Sequence, residues 1–126
     1  MLYAATHAAT PVNCIIIASP FSSLRAMAVL GGLPKALRFI LPDVWDNVEA
    51  TSHLNTLMMW LHSKSDLTIP IAFGQAVYDA KKGEKAAVVV DGFTHNAIYE
   101  LMPPQIWGPI TEFILDGDAP GQDSVP

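Results

Sequence analysis

The sequence predicts a single α/β domain of three layers, with about three parallel strands between flanking helices. Three observations carry this. The apolar runs Ile15-Ile16-Ile17, Leu57 to Leu61 and Ala86 to Val90 show no polar alternation, as expected of strands covered on both faces. Stretches of helical pattern separate them, and helices between successive strands favour parallel pairing through right-handed crossovers. The length of 126 residues suits one core, because domains of roughly 100 to 150 residues are the commonest.

Each element follows in chain order. Met1 to Ala9 is Ala-rich and reads as the end of a helix that stops before Pro11. Val12 to Ser19 is the first strand, broken by Ser19-Pro20. Phe21 to Leu30 has a helical pattern closed by Gly31-Gly32, and Ser22 or Ser23 can cap it. Pro34 to Leu41 gives a second short helix before Pro42, and Asp43 and Asp46 read as a solvated turn. Leu57 to Leu61 is the second strand, followed by a polar loop containing Asp66 and a helix from Ile69 to Lys82 ended by Gly83. Ala86 to Val90 is the third strand. After His95 a last amphipathic helix can use Ile106, Trp107, Ile110, Phe113 and Ile114, with Pro103-Pro104 interrupting the chain ahead of it. Residues 1–115 form the domain, and Asp116 to Pro126, rich in Gly, Pro and Asp, reads as a flexible tail. Trp45, Trp60, Trp107, Met58 and Met59 are assigned to core or interface.

Composition removes several classes of function. A net charge of −5 with seven Lys and Arg argues against nucleic acid, whose affinity comes from clustered cations. No apolar stretch approaches the roughly 20 residues of a membrane span, and the first residues do not form a basic leader; a cytoplasmic protein is expected. Cys14 is the one cysteine, so no internal disulfide forms and redox chemistry is not expected. His7, His53, His62 and His95 lack compact ligand spacing, so neither metal nor cofactor is expected. With 51% hydrophobic residues and a mean hydropathy of +0.31, the chain carries more apolar surface than a small monomer easily hides.

In open parallel sheets, functional groups gather at the carboxyl ends of the strands. Ser19, Asp66 and His95 each lie just past a predicted strand. An ionised Asp can accept from an imidazole Nδ1–H, fixing the tautomer and leaving Nε2 to take a proton from a nucleophile. Asp66 and His95 suit these catalytic roles. Asp66 can equally be a turn or cap residue ahead of the Ile69 helix, and His95 a structural histidine. Ser19 is a poor nucleophile, because Pro20 has no N–H to offer an oxyanion hole. Ser63 and Ser65 read as turn residues, and His62 as a strand end.

The segments Ala18-Ser19-Pro20-Phe21-Ser22-Ser23-Leu24, Trp45-Asp46-Asn47-Val48-Glu49-Ala50, Leu61-His62-Ser63-Lys64-Ser65-Asp66-Leu67-Thr68-Ile69-Pro70 and Gly92-Phe93-Thr94-His95-Asn96 occur in the order of landmarks in another group of proteins. The chain resembles the C-terminal half of an α/β-hydrolase, of the serine-aminopeptidase-like or acyl-thioesterase-like branch, through about Leu115. There the acid loop reads His-Gly-x-x-Asp-x-x-x-Pro and the base loop Gly-x-Gly-His-Asn. Ser63 replaces the Gly after His62, and Thr94 replaces the small residue before His95; both can tighten loops that Gly relaxes. The resemblance implies a partial α/β-hydrolase fold with Asp66 as triad acid and His95 as general base. No Gly-x-Ser-x-Gly elbow occurs in the sequence. The family layout puts the elbow and oxyanion-hole loop ahead of Met1.

The implied function is serine-type hydrolysis of an ester, thioester or amide, with a small acyl substrate, impaired in this chain by the lack of a nucleophile. The alternative is a non-catalytic binding or assembly module built on a hydrolase half-fold. In either case the Val12–Ile17 strand is an apolar sheet edge, and a homodimer pairing through it is expected.

Overall fold

In the computed structural model, which describes residues 12–42, 44–101 and 104–116, the three apolar runs form one sheet. The predicted helix end at Met1 to Ala9, Asp43 of the predicted turn, Pro103 and the predicted tail beyond Asp116 lie outside the described residues. Strand β1 (Cys14–Ala18) pairs in parallel with β2 (Leu57–Ser63), and β2 pairs in parallel with β3 (Lys85–Val90). The strand order is β1-β2-β3, and the register sets Ile15 opposite Met58, Ile17 opposite Trp60, and His62 opposite Val89.

The central strand explains the missing alternation. From Met58 to Ser63 every residue of β2 is buried, since helices cover both faces. On one face Met59, Leu61, Ala86 and Val88 pack with Ile98, Ile106, Ile110 and Phe113. On the other, Ile15, Ile17, Met58 and Trp60 pack with Leu54 and Val77. Each fully buried large side chain of this kind contributes roughly 1.5–3 kcal/mol, so the two faces together hold helix, sheet and helix as the three predicted layers.

The helices are α1 (Leu24–Leu30), a 3₁₀ segment (Lys35–Ile40), α2 (Asn47–Ser52), α3 (Ile71–Ala80), α4 (Ala97–Leu101) and α5 (Pro104–Asp116). Ser23 caps α1 through its hydroxyl, which accepts from Ala26 N–H at 3.2 Å. In α5, Ile106, Ile110 and Phe113 face the core, whereas Trp107 and Ile114 stand about half exposed. The predicted stripe is therefore narrower than five residues. Trp60 is a core residue, but Trp45 is 68% exposed. Helices α2 and α4 were not visible in the periodicity because each is shorter than two turns. Both carry capping signals: Asp46 Oδ1 accepts from Glu49 N–H at 3.0 Å, and Thr94 Oγ1 from Ala97 N–H at 3.4 Å. No described helix is long and apolar enough to cross a membrane.

Candidate functional site: an acid and a base at the sheet's carboxyl end

The loop after β2 is shaped by its own side chains. Lys64 N–H donates to the Val90 carbonyl at 2.9 Å, carrying the ladder one residue past the strand. The chain then turns, with Asp66 N–H donating to Ser63 O at 3.2 Å and Ser65 N–H to Ser63 Oγ at 3.2 Å. Asp66 Oδ1 accepts from the N–H groups of Thr68 and Ile69, each at 2.9 Å. These bonds delay α3, which starts at Ile71 after the extended Pro70, two residues later than the pattern suggests.

The other carboxylate oxygen faces the base. His95 Nδ1 lies 2.8 Å from Asp66 Oδ2, with the Asp66 side chain fully buried and that of His95 24% exposed. Burial by itself raises the Asp66 pKa, yet the Ile69 N–H, the His95 hydrogen bond, the Thr68 N–H and the charge of His95 outweigh it and hold the carboxyl below its ordinary value. An ionised carboxylate only accepts, so His95 Nδ1–H is the donor in this bond. Asp66 is thus a turn residue through Oδ1 and is hydrogen-bonded to His95 through Oδ2.

The base loop is fastened to the acid loop a second time. Ser65 Oγ donates to Asp91 Oδ1 at 2.6 Å and accepts from Gly92 N–H at 3.1 Å. Asp91 also accepts from Gly92 N–H at 2.8 Å. The Ser65 hydroxyl and the Gly92 N–H, assisted by the Lys64 charge, hold the Asp91 carboxyl below its usual range. Gly92 has φ of 80°, a left-handed conformation that a side chain disfavours. Ser65 is therefore more than a turn residue: it ties together the two loops that bring acid and base into contact.

Beneath the pair lies a support that sequence reasoning missed. His62 is fully buried, and its Nε2 lies 2.9 Å from the Ile69 carbonyl. A carbonyl only accepts, so Nε2 carries the proton and Nδ1 accepts from Trp60 Nε1–H at 3.3 Å. His62 thereby holds the residue whose N–H holds Asp66, and its Nε2 stands 3.8 Å from Asp66 Oδ2. The helix α3 can approach this side because position 74 has no side chain. A Cβ on Gly74 would lie 2.4 Å from His62 Nδ1 and 2.7 Å from Trp60 Nε1.

The remaining candidates stand apart from this network. Ser19, at the end of β1, is 3% exposed, has φ of 43° and has a hydroxyl without a hydrogen-bond partner. It is not hydrogen-bonded to the acid or the base. Ser23 is a helix cap, His53 is exposed and His7 lies outside the described residues. Among the described residues no group of three His, Cys, Asp or Glu side chains is placed to hold a metal ion.

The backbone of this chain is similar to parts of solved structures that have the α/β-hydrolase fold. An acetyl xylan esterase from Paenibacillus sp. R4 superposes with a TM-score of 0.64 at 15% identity, over 90% of this chain and 40% of the esterase. An acylaminoacyl peptidase from Pyrococcus horikoshii gives 0.62 at 13% identity, over 92% of this chain and 21% of the peptidase. A bromoperoxidase from Bacillus anthracis gives 0.61 at 12% identity, over 89% and 61%. No protein-family model and no curated protein sequence matches the chain. At these identities the likeness establishes a fold: three parallel strands with flanking helices, a partial α/β-hydrolase fold. The chain spans from about a fifth to three fifths of the length of these structures.

Proposed function

We propose, for a chain with part of the α/β-hydrolase fold, that Asp66 and His95 are the orienting acid and general base of a serine-hydrolase-type site. Its substrate class is a small-molecule ester, thioester or amide. The observation that carries this is the 2.8 Å contact between Asp66 Oδ2 and His95 Nδ1, at the carboxyl end of a parallel sheet. Asp66 fixes the tautomer and stabilises the imidazolium; Nε2 takes a proton from an attacking hydroxyl and returns it to the leaving group.

The nucleophile is assigned to none of these 126 residues. The sequence contains no Gly-x-Ser-x-Gly, and Ser19 is followed by Pro20. The hydroxyl and the oxyanion hole then come from outside this sequence, and the chain alone is impaired, since a triad lacking one member keeps only a small residual rate. The 126-residue chain is expected not to react with a fluorophosphonate probe and to turn over p-nitrophenyl acetate no faster than its His95→Ala variant. Its proton NMR spectrum should show a strongly downfield imidazole N–H that disappears in Asp66→Asn. Ordinary esterase turnover abolished by His95→Ala overturns the external nucleophile, and absence of the downfield resonance overturns the acid–base pair.

A second reading, a non-catalytic assembly module, is favoured by β1. Among the described residues β1 is paired on one side, with β2, which leaves the other edge for a second copy of the chain.

A further inference from the structure

Of seven Lys and Arg side chains in a chain of net charge −5, Arg25, Lys35 and Arg38 line one cavity of about 710 Å³. The same cavity is walled by Val29 and Leu30 of α1, Phe39 of the 3₁₀ segment and Phe73 of α3. Its volume falls within the roughly 300–1,000 Å³ that holds a small organic ligand, and an apolar lining with a few convergent polar groups is the usual make-up of such sites.

The cations have distinct tasks. Arg25 braces the wall, its Nε and Nη2 donating to the Leu41 carbonyl at 3.3 and 3.1 Å. This ties the end of the 3₁₀ segment back to α1. Arg25 and Arg38 lie 5.8 and 4.6 Å from the centre of the Phe39 ring, which is nevertheless 66% exposed. Lys35 and Arg38 are exposed and form no salt bridge among the described residues. Gathering like charges around one hollow costs repulsion that a bound anion relieves. Asp46, also on the wall, is engaged as the cap of α2. With Arg25 engaged by the Leu41 carbonyl, Lys35 and Arg38 are the exposed cations at the mouth and suit an anionic head group.

We infer that this cavity binds a small organic carboxylate, with Lys35 and Arg38 meeting the carboxylate and its aromatic or alkyl body lying against Phe39 and Phe73. Phe73 is in the first turn of the helix that follows the acid loop, its N–H donating to the Pro70 carbonyl. The cavity and the Asp66–His95 pair thus share one structural segment. The binding stands independently of the hydrolase reading; joined to it, the cavity selects substrates that carry a free carboxylate.

Calorimetric titration with 4-phenylbutyrate and with its neutral analogue 4-phenylbutanamide tests this. The acid is expected to bind with a dissociation constant near about 1 mM, a usual efficiency for so small a ligand, and the amide at least about tenfold more weakly. The double variant Lys35→Gln, Arg38→Gln changes exposed positions, so its Tm should be that of the wild type while its affinity for the acid falls about tenfold. Raising the salt to about 0.5 M should weaken the acid similarly, since exposed charges are screened over a few ångströms there. Equal binding of acid and amide, unchanged binding by the double variant, or no binding of either compound overturns the inference. The titration involves no turnover, so its failure leaves the acid–base pair standing, and a failure of that pair leaves the titration unaffected.

Discussion

Asp66 carries two tasks on two atoms: Oδ1 fixes the loop through Thr68 and Ile69, and Oδ2 holds the His95 ring. Because its folded pKa lies below its ordinary value, its contribution to stability is fully present above the unfolded value, about 4, and is lost as pH falls through the folded value. Asn at this position can still accept from the loop but carries no charge to lose. Asp66→Asn should therefore be less stable than the wild type at neutral pH by about 1–3 kcal/mol, with the difference shrinking below about pH 4. Urea midpoints measured across that range check this, and parallel curves for the two proteins would refute it. Asp66 and His95 were legible in the sequence because residue type, chain order and strand-end placement coincide. The roles of Ser65 and His62 were not. Ser65 pairs with Asp91 across a whole crossover, and a polar residue such as His62 inside an apolar run does not reveal which face it takes.

At the scale of elements, the contact between α3 and β2 depends on an absence. Glycine has a lower helix propensity than alanine, but Gly74 is the place where the helix passes His62 and Trp60. Both neighbours are buried in the central strand, so neither can swing aside and the helix itself must move. Gly74→Ala should cost about 1–3 kcal/mol despite its better helix propensity, lowering Tm by roughly 5–10 °C. An unchanged Tm in calorimetry would show that α3 retreats freely. The three strands, α1, α3 and α5 were readable from apolar runs and breakers, since burial on two faces leaves a continuous run and burial on one leaves a stripe. The six-residue α2 and five-residue α4 are too short for periodicity and are set by caps, Asp46 and Thr94, of which Asp46 reads as a turn residue in the sequence.

At the scale of the whole molecule, the described residues form a sheet of three strands, which is small, and its β1 edge opposite β2 is where it can be extended. Two copies joined there would make about six strands, the mean sheet size. Light scattering at micromolar concentration is then expected to give twice the 13.6 kDa of one chain; a monomeric mass would remove the dimer. The strands also lie side by side in the order in which the chain runs, β1, β2, β3, so no strand has to be inserted between two that have already paired. At about 5–20 residues per second, a ribosome releases β1 and β2 before β3 exists, and the sheet can grow outward as it is made. Asp66 can be set by its own neighbours Thr68 and Ile69, whereas His95 emerges only after β3. The contact between them therefore cannot form until β3 has been made.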